Sequence, residues 1–178
     1  FVEKIESSGD YDFIKGWGTT ATPSLIANSS DQQVRIPGIA RPHSVFVHPS
    51  PTLFAAAGWQ SPVSGVVKVE AEIQDAHPEC GNGVEWWVLH RTFDGSRILK
   101  TARLDGAGQG SMESRSIAVK KGEVIALVVG PKDGSHACDL TRVDFRLAET
   151  GAEQRSWDLA SEVSDDILSS NPQDDRYG

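Results

Sequence analysis

The sequence predicts an all-β jelly-roll sandwich with an irregular N-terminal flank and a short C-terminal strand and helix extension. Three observations carry this expectation. Apolar residues recur with period two in several separate runs, Gly, Pro and Asp turn signals punctuate those runs, and residues 1–150 contain no sustained helical pattern.

In chain order, residues 1–42 show no clear alternation and are expected to form an irregular lead-in. Val45 and Val47 suggest a strand after Pro42. Trp59, in Gly58-Trp-Gln-Ser-Pro-Val63, is expected to open a strand and anchor the sandwich edge. Val67, Val69, Ala71 and Ile73 alternate with Lys68, Glu70, Glu72 and Gln74, the pattern of a strand with one face in the core and one in water. In the next run Val84, Trp86 and Val88 share one face, and Glu85, Trp87, Leu89 and Arg91 share the other. Trp86 is therefore expected in the core and Trp87 outside it. Ile117 and Val119 precede a turn at 120–123, where Gly122 is free to take positive φ. Residues 124–129 are apolar on both faces and read as a central strand. Thr141, Val143, Phe145 and Leu147 alternate with Arg142, Asp144 and Arg146. Residues 157–160 read as a closing edge strand, followed by a helix candidate over 160–168 with Val163, Ile167 and Leu168 on one face.

Charge sets the boundary between body and tail. Residues 1–150 carry 18 acids and 15 bases, and residues 151–178 carry 7 and 2. The expectation is a sandwich domain over 1–150 and a C-terminal extension over 151–178, either packed on the sandwich or starting a linker. The net charge of −8 argues against nucleic acid as a partner. No apolar run is long enough for a spanning helix. The opening Phe-Val-Glu-Lys has no initiator Met and no signal-peptide pattern, so the chain reads as a fragment or processed product.

The chemistry-bearing residues exclude more than they assign. Cys80 and Cys138 lie in no C-x-x-C or C-x-x-C-H spacing, so neither a haem attachment nor a thiolate zinc cluster is encoded. They are expected to form a disulfide, the alternative being two unpaired structural cysteines. His43, His48, His77, His90 and His136 show no helical metal-ligand spacing and read as loop and surface residues. No Gly-x-Ser-x-Gly elbow or phosphate loop occurs, and no serine has a triad context, so the chain is expected not to be an enzyme. The segments 75–80 and 133–139 are rich in oxygen ligands, which makes Asp75, Asp133 and Asp139 candidates for a structural Ca²⁺. The competing reading is aspartates that cap turns. Five tryptophans suit sugar recognition, because flat aromatic faces stack on the C–H faces of pyranose rings. Trp87, framed by Glu85 and Arg91, is the candidate platform, unless a loop or the tail covers it. Trp17 and Trp157 lie in irregular flanks and are expected to pack against each other or the sheet.

Several stretches resemble known domains. Trp59-Gln-Ser-Pro-Val-Ser-Gly-Val-Val-Lys-Val69 resembles the W-x-[SA]-P-x-x-G-x-V-x-V opening of a broad bacterial jelly-roll class. Asp75 with Gly81-Asn-Gly-Val-Glu-Trp86 looks like its second strand pair, and Val119-Lys-Lys-Gly-Glu-Val-Ile-Ala-Leu-Val-Val129 is similar to its V-x-x-G-D-x-I-x-F-x-V strand. More narrowly, Cys80-Gly-Asn-Gly-Val84 and Gly130-Pro-Lys-Asp-Gly-Ser-His-Ala-Cys-Asp-Leu-Thr141 resemble the carbohydrate-binding-module-like domain of large planctomycete-type cytochrome c proteins. The tail Asn171-Pro-Gln-Asp-Asp-Arg-Tyr-Gly178 looks like the linker that follows that module. The likeness covers roughly residues 55–178 and leaves 1–54 unmatched. It implies a non-catalytic glycan- or polysaccharide-binding module within an exported protein, periplasmic or at the cell surface. It further implies neighbouring domains of the same chain as partners and haem only in the parent protein. The rival expectation is a structural spacer or docking module without a sugar site.

Overall fold

The computed structural model describes residues 3–19, 21–174 and 177. Among these residues fourteen strands and one short helix build two antiparallel sheets packed face to face, with a small two-stranded ribbon on one side. The larger sheet runs β1 (Lys4–Ile5), β2 (Ile14–Gly18), β3 (Ser24–Asn28), β6 (Ser44–His48), β13 (Thr141–Glu149), β8 (Gly65–Asp75) and β11 (Gln109–Val119). The short β14 (Ser156–Asp158) pairs with β13 beyond the stretch that β6 covers. The smaller sheet runs β10 (Gly95–Leu104), β9 (Val84–Thr92), β12 (Val124–Pro131) and β7 (Ala55–Gln60). β4 (Val34–Ile36) and β5 (Gly38–Ala40) form the ribbon.

The core lies between the sheets. Val67, Val69, Ala71 and Ile73 of β8 and Val143, Phe145 and Leu147 of β13 face Val84, Trp86 and Val88 of β9 and Ile125, Leu127 and Val129 of β12. All are at most 4% exposed, as period-two alternation requires of strands buried on one face. A smaller cluster sits on the far side of the larger sheet, where Ile14, Ile26 and Phe46 meet Ile36 and Ala40 of the ribbon and Leu140. β6 is thus buried on both faces, with Val45 and Val47 turned inward and Phe46 turned under the ribbon. Asn28, fully buried, ties the ribbon down: its Nδ2 donates to the carbonyls of Gln32 at 2.8 Å and Arg41 at 3.0 Å.

Three expectations need correction here. Residues 1–42 are not an irregular lead-in but supply β1 to β5, three of them strands of the larger sheet. The alternation was hidden because Gly16, Gly18, Ser24 and Asn28 occupy strand positions where apolar residues would be read. A Cβ on Gly16 would collide with the backbone of Leu25 and Ile26, so close approach of β3 excludes any larger side chain there. Trp59 closes β7 rather than opening a strand, and it packs on Trp157 with ring centroids 4.9 Å apart. The C-terminal helix is the five-residue α1 (Leu159–Val163), shorter than the 160–168 candidate and capped by Asp158, which accepts from the Ser161 N–H. The extension packs on the sandwich: Trp157 and Ile167 join the main core, and Trp17 Nε1 donates to the Ile167 carbonyl at 2.7 Å.

Candidate functional site

The outward face of the smaller sheet is the candidate site. Along β9 the inward row is Val84, Trp86, Val88 and His90, all at most 2% exposed. The outward row is Glu85, Trp87, Leu89 and Arg91, half-buried to exposed. Register brings Val128 and Thr101 beside Trp87, and Ala126 beside Leu89. Ala56 and Gly58 of β7 continue the surface past β12. Small residues at these places leave the sheet surface low, and Trp87 stands at one end of it.

Trp87 is half-buried, and a residue of the loop before β7 lies on it. Phe54, 56% exposed, stacks on it with ring centroids 5.3 Å apart and planes 24° from parallel. A Cβ on Gly130 would lie 2.7 Å from the Phe54 ring and 3.2 Å from Trp87, so the absence of a side chain there lets both rings lie against β12. Offset stacking of two aromatics stabilises their relative placement and fixes a flat apolar surface. Beside it, Arg103 of β10 pairs with Glu85 at 2.5 Å and lies 3.6 Å from Asp133. The platform therefore has a rim of carboxylate and guanidinium groups, the donor and acceptor set that recognises hydroxyls.

Of the three residues named from sequence, Trp87 and Glu85 come together and Arg91 does not. Arg91 shares their face, but four residues along a strand amount to about 13 Å. The guanidinium that serves Glu85 belongs to Arg103. Phe54, Arg103, Asp133 and Gly130 come from three other segments, and only cross-strand register reveals them.

Cys80 and Cys138 form a disulfide, with Cα atoms 5.7 Å apart. His77 Nε2 lies 3.5 Å from Cys80 Sγ, so two sulfurs and an imidazole cluster as metal ligands might. Sulfurs bonded to each other are not thiolates, which removes a thiolate site there. The expectation that every histidine is a loop or surface residue fails for His90, which is 1% exposed. Its Nδ1 accepts from Arg97 Nε at 3.2 Å, and its Nε2 lies 2.9 Å from the Glu123 carboxylate. An acceptor at Nδ1 places the proton on Nε2, so a neutral His90 donates to Glu123. Glu123 also accepts from the Lys120 backbone N–H, which with His90 holds its carboxyl below the ordinary glutamate range despite burial. The pair closes the 120–123 turn against β9 and does not face the platform row.

The candidate calcium ligands separate into two groups. Asp133 is exposed and turns toward Arg103. Asp75 and Asp139 meet where three loops converge at one end of the sandwich. Asp139 is 2% exposed, and neither of its side-chain oxygens has a hydrogen-bond partner. Burial first, and the negative charge of Asp75 second, push its carboxyl up to about 7.

A cavity of about 670 Å³ lies away from both places. Trp17, Trp59, Trp157, Leu159 and Ile167 line it, with Asn171 to Asp174 at its margin. It is the seam between the sandwich and the C-terminal extension, and its aromatic rings pack on one another and on the core. Among the described residues no helix is long and apolar enough to cross a membrane. No protein-family model matches the chain, and no curated protein matches it.

Proposed function

We propose that this chain is a non-catalytic glycan-binding module, and that the outward face of its smaller sheet is the binding surface. One observation carries the reading: the Phe54–Trp87 stack, with Phe54 56% exposed and Trp87 half-buried, lies on a low sheet surface rimmed by Glu85, Arg103 and Asp133. Pyranose rings have apolar C–H faces and equatorial hydroxyls, so they need a flat aromatic surface with planar polar groups at its edge. Few other ligand classes need both. An exposed apolar surface of this kind is also uncommon on a domain that binds nothing.

The wider setting rests on the resemblance of the two Cys-containing motifs to the module of planctomycete-type cytochrome c proteins, and the jelly-roll reading of the sandwich rests on the strand and turn pattern and on the likeness of 59–69 and 119–129 to a broad bacterial jelly-roll class. In that setting the module contributes no haem and serves an exported multidomain protein by holding it to polysaccharide. The Cys80–Cys138 bond supports an oxidising compartment. A docking role for a neighbouring domain is the second reading, favoured by Leu53 and Phe54, 57% and 56% exposed. An array of poly- and oligosaccharides probed with the isolated chain tests the proposal. Retention of one glycan class supports it. A blank array, with Leu53 and Phe54 protected from solvent only when adjacent domains of the parent chain are present, replaces it with docking.

A further inference from the structure

The loop junction at Asp75 and Asp139 carries a second, independent assignment. Asp75 ends β8, and the loop after it holds Cys80 and Gly81. Asp139 precedes β13 directly after Cys138, which has positive φ, so the disulfide clamps the two aspartate-bearing loops together. The turn between β10 and β11 closes the third side. Asp75 is held in place: Oδ1 accepts from the His77 N–H at 2.7 Å and Oδ2 from the Ala107 N–H at 2.6 Å. Each of those oxygens retains a further acceptor lone pair. A Cβ on Gly106 would stand 3.3 Å from the Gly81 carbonyl oxygen and 4.0 Å from Asp75 Oδ2, so these two oxygens border the same corner. Gly81 has no room for a side chain, since its Cβ would lie 2.7 Å from the Ala137 carbonyl oxygen.

Asp139 is the anomaly. A carboxyl group that is 98% buried, with both oxygens unpartnered, forfeits hydrogen bonds that folding normally replaces. Lys132, on the loop that carries Asp139, is engaged with Asp105 at 2.5 Å and the Asn82 carbonyl at 3.1 Å, and Arg142, which lines a pocket with Asp75, is paired with Glu72 and Asp144. What satisfies two bare carboxylate oxygens near a second carboxylate, itself bordering a loop carbonyl, is an oxygen-seeking cation.

We propose that Asp139 and Asp75, with loop carbonyl oxygens including that of Gly81, bind a divalent cation of the calcium class and that the Cys80–Cys138 disulfide holds the site's two walls together. The ion is structural: it fastens the loops that end β8 and begin β13. Asp133 takes no part.

Calcium chloride is the probe. Chelator-stripped protein is titrated with Ca²⁺ by calorimetry, and its thermal unfolding is followed with and without Ca²⁺. The expected result is uptake of one Ca²⁺ per chain and a Tm that rises with Ca²⁺ and falls back with chelator. Asp139→Asn removes the buried charge without changing shape, so the variant folds in the absence of metal and loses both the uptake and the Tm shift. Asp133→Asn keeps both. A wild-type chain that takes up no Ca²⁺ overturns the proposal whatever the variants do, and equal uptake by wild type and Asp139→Asn overturns the assignment to this junction.

Discussion

The outward faces of the two sheets are built by opposite rules. On the larger sheet most of the apolar outer side is covered: Ile14, Ile26 and Phe46 lie under the β4–β5 ribbon and its flanks. The uncovered part is mostly charged, with Lys68, Glu70 and Glu72 on β8 and Arg142, Asp144 and Arg146 on β13, and Val66 at the start of β8, 41% exposed, as the apolar exception. The smaller sheet does neither. Trp87, Leu89, Val124, Ala126 and Val128 look outward and are half-buried, and Phe54, 56% exposed, stacks on Trp87. A chain that spends a ribbon to cover one apolar face and leaves another bare is treating the second as a surface to be used. Apolar area left in water forfeits roughly 25 cal/mol per Å² of stabilisation that covering it would supply.

The sharpest contrast lies within β9, where neighbouring tryptophans point to opposite sides. Trp86→Ala removes a ring that is 1% exposed from the centre of the core and should cost about 3–5 kcal/mol, read as a lowered denaturation midpoint. Trp87→Ala should cost only about 1 kcal/mol by the same measurement. Equal losses would mean that the two faces are not distinct in energy. Next in size is the Cys80→Ala/Cys138→Ala double variant. The bond links residues 58 apart, and loop-closure entropy assigns it about 4 kcal/mol at most. Because it joins loops at the sandwich end, its loss should leave glycan binding at the Trp87 face intact once the protein is folded. Binding lost in step with stability would couple the two regions.

The smallest effect concerns the inward end of β9. Glu123 is held below its ordinary value of 4.5 first by the Lys120 N–H and then by His90. A depressed carboxyl stabilises the folded state fully above the unfolded value, and this contribution is lost as pH falls through the lower folded one. Stability should therefore decline below about pH 4.5, and Glu123→Gln should flatten that decline. An unchanged acid profile in the variant would remove the pair from the account.

How much of this was legible in the sequence differs by region for physical reasons. β8, β9 and β13 alternate apolar and polar residues because one face of each is in the core and one in water. β2 and β3 were illegible because their close approach demands glycine at Gly16 and their outer face is buried too, so neither period nor polarity marks them. β10 is an exposed edge strand with polar residues on both faces, and nothing in Gly95–Leu104 distinguishes it from a loop. Trp87 and Glu85 could be named because they share one strand. Arg103 and Phe54 could not, since register across strands placed them. Asp75 and Asp139 were visible as loop acids, but their meeting depends on Asp75 pairing opposite Thr141, two residues beyond Asp139.

The central claim is that the open face of the smaller sheet binds glycan through Trp87. The most direct test is a binding isotherm for one retained glycan, measured on the wild type and on Trp87→Ala, Arg103→Ala and Arg91→Ala. The account predicts at least about a tenfold loss for Trp87→Ala, a smaller loss for Arg103→Ala, and almost none for Arg91→Ala. Undiminished affinity in a folded Trp87→Ala protein would contradict it.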